Sequence, residues 1–401
     1  MISIYIHIPF CIKKCAYCDF LSFPSNEDTI EKYIDCLCNE IEGSEATGEE
    51  VGTIFFGGGT PSILTVRQLN RVMDKIKERF NLNGNCEATL ECNPGTVSEE
   101  KLSGFYKAGI NRLSIGLQSA NDNELKYLGR IHTFNQFLFT YNTARKVGFK
   151  NINIDLMSAV PGQTTDSFRD TLTSVVALNP EHLSVYSLII EEGTRFYDIY
   201  GDSACRDSQF SDVVKLPDED AERAMYYMTK EVLDRFGYHR YEISNYAKEG
   251  YECRHNKVYW TGGDYVSFGI GAASFYKGIR YNNISDVTEY MKIWDIEERL
   301  ETEKNRPDFE WGICNKKTHV DIHELSINEK MEEYMFVGLR LVKGINITCF
   351  QKVFKKDIRD VYGKVIDRYI DMDLMKLNGE WLSLTEKGID VSNVVLADFL
   401  L

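Results

Sequence analysis

No stretch of this chain approaches the roughly 20 consecutive apolar residues that a membrane-spanning helix needs. The first ten residues, MISIYIHIPF, carry neither a basic leader nor a small-residue cleavage pattern. Both absences predict a cytoplasmic protein without a membrane span. Positive charge is also short: 46 Lys and Arg stand against 61 Asp and Glu, a formal net charge of −15. Such a field repels phosphate backbones and no local basic patch offsets it, so nucleic acid is not an expected partner. An even, regularly spaced cysteine set is missing too. Eleven cysteines, most of them scattered, argue against a disulfide framework and for reduced thiols plus one metal cluster.

What is present is an ordinary globular composition, 43% hydrophobic and 27% charged over 401 residues, long enough for two or three domains. Short β-rich runs recur up to about residue 190: SIYIHI (3–8), TIFF (53–56), EATLE (87–91), RLSIGLQ (112–118), NINIDLM (151–157) and HLSVYS (182–187). Between them, stretches such as 67–80 and 166–178 space apolar residues three and four apart, as crossover helices of a parallel sheet do. Six β/α units are fewer than the eight that close a standard barrel. The expectation is an α/β fold, a partial (β/α)6 barrel open on one side. Residues 57–60, Glu91, Gln118, Asp155 and Ser187 fall at the C-terminal ends of these runs, the active rim of such a barrel, although strand ends are also polar simply because they meet solvent.

Residues 198–217 read as an irregular connector, and Asp218 caps a helix from about Glu219 to Phe236 that Gly237 stops. A β-rich segment to about residue 283 and acidic irregular stretches follow. From Ile327 the pattern is three helices and a hairpin, LMKLNGEWLSLT, which predicts a small winged-helix-like α+β domain. Residues 325–401 hold 11 Lys and Arg against 12 Asp and Glu, so that domain is read as structural or partner-binding. The expected divisions are 1–197 (barrel core), 198–217 (connector), 218–326 (completing helix and β-rich segment) and 327–401 (C-terminal domain).

The chemistry concentrates in YIHIPFCIKKCAYCDF, residues 5–20. Cys11, Cys15 and Cys18 supply three thiolates in one loop, enough to hold three irons of a four-iron, four-sulfur cluster and leave the fourth open to a ligand. A zinc site with His7 as fourth ligand, or coincidence, are the alternatives. Glycines in FFGGGTP (55–61) let backbone approach a ligand closely, or form only a tight turn. Arg130, in GRIH (129–132), offers a guanidinium fork for a carboxylate, or is a surface arginine.

Cys-x3-Cys-x2-Cys after a first strand resembles the radical S-adenosylmethionine (SAM) superfamily. Together with FFGGGTPSIL, LECNPGTV, RLSIGLQS, YLGRIHT, INIDLMSAVPGQT, YEISNYA and LTEKGIDVSN, it resembles the oxygen-independent coproporphyrinogen III oxidase-like family over nearly the whole chain. The resemblance implies that Cys11, Cys15 and Cys18 hold a 4Fe-4S cluster. It also implies that Tyr5, Tyr17, Gly58, Gly59, Thr60, Glu91, Gln118, Arg130 and Asp155 contact SAM, with backbone near Ile189 and Phe275. The oxidases carry a fourth cysteine where Phe20 stands, and a long segment before the first strand; both departures resemble the haem-chaperone branch instead. So does ECRHNKVYW (252–260), which matches the HNxxYW pattern of that branch at His255, Asn256, Tyr259 and Trp260. An imidazole is a haem-iron ligand and Tyr and Trp offer flat faces to a porphyrin, but a histidine bonded within an aromatic core gives the same pattern, and Cys253 is a rival ligand. Cys36, Cys38, Cys86, Cys92, Cys205, Cys314 and Cys349 form no metal-like pattern. Three functions follow: a haem chaperone using cluster and SAM, a coproporphyrinogen III oxidase or other radical SAM porphyrin enzyme, and a zinc-stabilised regulatory module. For the first, the implied partners are haem as cargo, haem-requiring apoproteins, an electron donor and a second copy of the chain. Whether that protein is an enzyme is left open, with coproporphyrinogen oxidation not expected.

Overall fold

The computed structural model describes residues 1–201, 213–296 and 311–401. Six strands, β1 (Ile2–Ile8), β2 (Glu50–Gly58), β3 (Asn81–Cys92), β4 (Arg112–Gln118), β5 (Ile152–Ser158) and β6 (His182–Ser187), lie side by side in chain order. Every neighbouring pair is parallel. The helices between them begin where the sequence supplies caps. Asn26, Thr65, Ser98, Thr133 and Thr164 each accept a first-turn N–H, and Thr65 and Thr133 complete capping boxes with Gln68 and Gln136. In the helix Val66–Arg79, Leu69, Val72, Met73 and Ile76 recur three and four apart, and all four are buried in the main core.

The sheet extends beyond the six expected units. β7 (His239–Arg240) and β8 (Asn245–Ala247) continue it antiparallel past β6. On the opposite side β9 (Tyr265–Phe268) pairs parallel with β1, followed by antiparallel β10 (Ala273–Tyr276), β11 (Ile279–Asn283) and β12 (His319–Glu324). β9 is thus a seventh parallel strand; YVSF is too short to display a period. Among the described residues β7 and β12 end the sheet and do not pair with each other, so the barrel is open.

Three local expectations change. The stretch after residue 283, read as irregular, contains the helices Val287–Trp294 and Trp311–Thr318 as well as β12; Tyr290, Ile293 and Trp294 give the first of these a buried face. The HNxxYW segment, read as β-rich, lies on the helix Arg254–Trp260. Within the expected connector, the helix Arg195–Tyr200 reaches into its start, and residues 202–212, Cys205 among them, lie outside the described residues.

The C-terminal unit has helices Ile327–Gly338, Ile347–Phe354 and Ile358–Asp371, and a three-stranded sheet. In that sheet β13 (Ile345–Asn346) and β14 (Met375–Asn378) flank β15 (Trp381–Leu384). Met335, Phe350, Ile366 and Leu382 belong to a core of its own, separate from that of the barrel. Val342 N donates to Tyr241 O at 3.0 Å and Tyr227 Oη to Asp390 Oδ2 at 2.5 Å, tying the unit to the barrel. Gly388 of the LTEKGIDVSN motif packs so closely that a Cβ would lie 1.9 Å from Leu374 O, a carbonyl fixed by Thr385 N at 3.0 Å. Gly388→Ala is therefore expected to lower stability by about 1–3 kcal/mol, as overpacking does; an unchanged midpoint in denaturant titration would refute this. No helix among the described residues is long and apolar enough to cross a membrane.

Candidate cofactor site

The cysteine loop begins where β1 ends and is anchored at both ends. Phe10 is buried edge-on against Phe23 and Tyr33, with ring centroids 5.7 and 5.1 Å away. Cys11 N donates to Phe23 O at 3.1 Å and Phe23 N to Pro9 O at 2.9 Å, closing the neck. Ala16 N donates to Leu128 O and Phe196 N to Ala16 O, at 3.1 and 2.9 Å, holding the far end. Cys11, Cys15 and Cys18 are thereby fixed, half-buried, on the wall of one cavity. Thr60 Oγ1 donates to Cys11 Sγ at 3.4 Å and Arg130 Nη1 to Cys15 Sγ at 3.5 Å; Cys18 Sγ lies 4.0 Å from Ser22 Oγ. Burial pushes the Cys18 thiol up.

The cavity has a volume of about 660 Å³ and opens beneath this loop between the inward faces of β2 to β6. Parallel strands covered on both sides normally read as unbroken apolar runs. Here they alternate. Arg112, Ser114, Gly116 and Gln118 of β4, Asn153 and Asp155 of β5, and Ser184 and Tyr186 of β6 line the cavity, while Leu113, Ile115, Ile154 and Leu183 enter the core. The rim residues Gln118 and Asp155 were legible at strand ends. Arg112, Ser114 and Asn153, deeper on the same faces, and Ser184 and Tyr186, level with or above Asp155, were missed, and the signal that would have found them is this two-residue alternation. Asn93, which also lines the cavity, lay unread within the LECNPGTV motif.

Two carboxyls and a guanidinium line the same cavity. Glu91 is half-buried, with Oε2 accepting from Gly58 N at 3.1 Å, and burial together with the neighbouring Asp155 pushes its carboxyl up to about 8. Burial also raises Asp155, restrained by Asn153 Nδ2 at 2.7 Å and Ser114 Oγ at 3.1 Å. Arg130 donates to Asn93 Oδ1 and to Gly116 O of β4, the residue paired with Asp155, both at 2.7 Å. Burial opposes its charge, but Tyr17 and Cys15 hold its pKa above the ordinary value. Two carboxyls with spare acceptor capacity and a guanidinium beside the thiols complement a ligand that is both cationic and carboxylic.

Most of the expected residues meet here. Tyr17, Gly58, Gly59, Thr60, Glu91 and Gln118 line the cavity with the three cysteines, as do Arg130, Asp155 and the exposed Ile189. The glycines have a second duty: a Cβ on Gly59 would fall 2.8 Å from Phe10 O, so the run lets the cysteine loop close on β2. Tyr5 and Phe275 do not reach the cavity. Tyr5 stands behind Gly57, its hydroxyl 3.1 Å from His7 Nδ1, and Phe275 pairs with Tyr265 on the extension of the sheet. His7 is no fourth ligand, because its Nε2 is bonded to Leu21 O at 2.9 Å, and no three Cys, His, Asp or Glu among the described residues converge as around a single metal ion.

The haem candidates His255, Tyr259 and Trp260 do not line this cavity. His255 is buried, with Nδ1 2.8 Å from Thr53 Oγ1 and Nε2 2.9 Å from Tyr259 Oη, and burial lowers its pKa to about 3. It is a neutral core histidine with both nitrogens engaged. Tyr259 is committed to that bond, Trp260 lies under Arg340 at 4.5 Å, and Cys253 is buried with Sγ 3.7 Å from Glu87 Oε1. Only Asn256 of the motif lines the cavity.

Residues 5–175 match the radical SAM superfamily model and residues 325–391 that of the HemN C-terminal domain. Over 399 residues the chain is 35% identical to heme chaperone HemW of Lactococcus lactis subsp. lactis, covering 100% of this chain and 97% of that protein. The chain belongs to the HemW family. With HemW of Bacillus subtilis the identity is 34% over 403 residues, 100% of this chain and 99% of that one. The fold of this HemW-family chain is that of coproporphyrinogen III oxidase (HemN) from Escherichia coli, with a TM-score of 0.80, 22% identity, and coverage of 100% and 90%. Its superfamily brings a 4Fe-4S cluster and SAM as cofactors. The residues fit both: three anchored thiols with donors on two of them, and a cavity whose charges match an amino acid bearing an additional cation.

Proposed function

We propose that this protein is a haem chaperone of the cytoplasm, which binds haem and passes it to haem-requiring apoproteins. The observation that carries this reading is the full-length similarity to HemW proteins. Phe20 supports it, standing 60% exposed at the mouth of the cavity, where the oxidases carry a fourth cysteine. Cys11, Cys15 and Cys18 hold the cluster. Arg130 takes the carboxylate of SAM, while Glu91 and Asp155 supply acceptors for its other polar groups, beside Tyr17, Gly58, Gly59, Thr60 and Gln118. Bound together, cluster and SAM supply reductive cleavage of a sulfonium; an electron donor and a second copy of the chain are the partners this calls for. The chain divides at about 198, 218 and 327 into barrel, connector, completing segment and C-terminal unit.

Arg130→Lys keeps the charge but not the fork that spans Asn93, Gly116 and Cys15. Losing one charge-assisted hydrogen bond, worth roughly 1.5–3 kcal/mol, is expected to weaken SAM binding about tenfold or more by calorimetry. Unchanged affinity would remove Arg130 from the SAM site. The function itself is tested by reconstituting the protein anaerobically with iron and sulfide. The expected result is saturable haem binding without conversion of coproporphyrinogen III; many turnovers to protoporphyrinogen IX would replace the chaperone with an oxidase.

A further inference from the structure

We infer that the floor of the cavity is a carboxylate-binding subsite, built on Arg112, that takes a propionate side chain of the porphyrin cargo. Arg112 opens β4, six residues before Gln118, which at about 3.3 Å per residue places it roughly 20 Å below the rim. It lines the cavity yet is only 2% exposed. Its Nε has no hydrogen-bond partner, and among the described residues no carboxylate stands within 4.0 Å of the guanidinium. The carboxylates that bear on its charge, Glu87 and Asp155, make their hydrogen bonds to other groups. Glu87 Oε1 accepts from His255 N at 3.1 Å, and Asp155 accepts from Ser114 and Asn153. The charge itself is favoured by Cys253, Glu87 and Asp155, but the buried Nε edge has no acceptor, and a donor left so is unfavourable unless a ligand completes it.

The surroundings select the class of ligand. Ser244, Asn245 and Asn256 line the same cavity and are uncharged. One guanidinium, with Glu87 and Asp155 close enough to bear on its charge, suits a monoanion gripped by a planar fork and disfavours a phosphate dianion. Phe55, Met157 and Tyr186 give the cavity apolar surface for a flat ring. SAM, held at the rim through Arg130, does not supply the missing anion, whereas a porphyrin carries propionates at the edge of an apolar plate. This inference rests on the haem-chaperone reading. It also gives Asn256 of the HNxxYW pattern a place at the cargo that His255, as found, does not have.

The test compares haem with haem dimethyl ester on the reconstituted protein with SAM bound, by optical titration. Haem is expected to bind about tenfold or more tightly than the ester, the value of one charge-assisted contact. Arg112→Lys and Arg112→Gln should erase that preference and leave SAM affinity unchanged. Equal binding of acid and ester by the unaltered protein would overturn the subsite, a result that does not depend on whether the variants fold. Metal-free porphyrin diacid bound in an Arg112-dependent way, without haem binding, would sustain the subsite and defeat the haem reading. Failure to bind any porphyrin acid would defeat both.

Discussion

Replacing Cys11, Cys15 and Cys18 together by alanine is expected to reduce bound iron and acid-labile sulfide from about four each per chain to background in anaerobically reconstituted protein. Among the described residues, no group of three Cys, His, Asp or Glu away from this loop is placed to hold a metal in its stead. The same variant should keep its fold. The loop is held by backbone hydrogen bonds at Cys11, Phe23 and Ala16 and by the packing of Phe10, and none of these needs a thiol. Apo-protein stability should therefore change by no more than about 1 kcal/mol, as for substitutions outside a packed core. Loss of iron with the fold retained separates a cofactor loop from a structural one. Stoichiometric zinc without sulfide in the unaltered protein would defeat the cluster assignment.

How much of this site could be read from the sequence depended on the range of the interactions. The cysteine loop was legible because its three ligands lie within eight residues, and the crossover helices because apolar spacing such as Leu69, Val72, Met73 and Ile76 is local. The interior of the barrel was only half legible. Reading strand ends found Glu91, Gln118 and Asp155, but Arg112, Asn153 and Ser184 declare themselves only when RLSIGLQ, NINIDLM and HLSVYS are read as alternating along their whole length. Parallel strands are commonly apolar on both faces, so a polar lumen shows only as alternation along the whole strand. β9 falls in the stretch read as β-rich, but its place beside β1 was not legible, because four residues cannot show a period and its partner lies some 260 positions away in the chain. His255 could be placed only in part: Tyr259 is a local partner, but Thr53, bonded in turn to Ser3, lies on a strand some 200 residues away that only the folded sheet brings to its ring.

That chain of bonds yields the second large effect. Thr53 Oγ1 donates to Ser3 Oγ at 2.7 Å, so toward His255 it can only accept; Nδ1 then carries the proton and Nε2 accepts from the Tyr259 hydroxyl. The ring also stacks on Phe55 at 5.1 Å and meets the edge of Tyr259 at 5.2 Å. His255→Ala leaves two hydroxyls short of a partner and opens a cavity in the core. At about 1–3 kcal/mol for each unsatisfied group, with a further cavity term, a loss of roughly 3–5 kcal/mol is expected in denaturant titration. Weaker haem retention by this variant would consequently say nothing about ligation by itself. Tyr259→Phe is the discriminating substitution: it removes the hydroxyl that occupies Nε2 and keeps the ring. For a core histidine, haem affinity and its absorption spectrum stay as they were, and stability falls by about 1 kcal/mol. For an iron ligand held in reserve, freeing Nε2 tightens haem binding and shifts the Soret band. The engaged, buried imidazole favours the first outcome, and a tighter, spectrally shifted complex in Tyr259→Phe would restore His255 as the ligand.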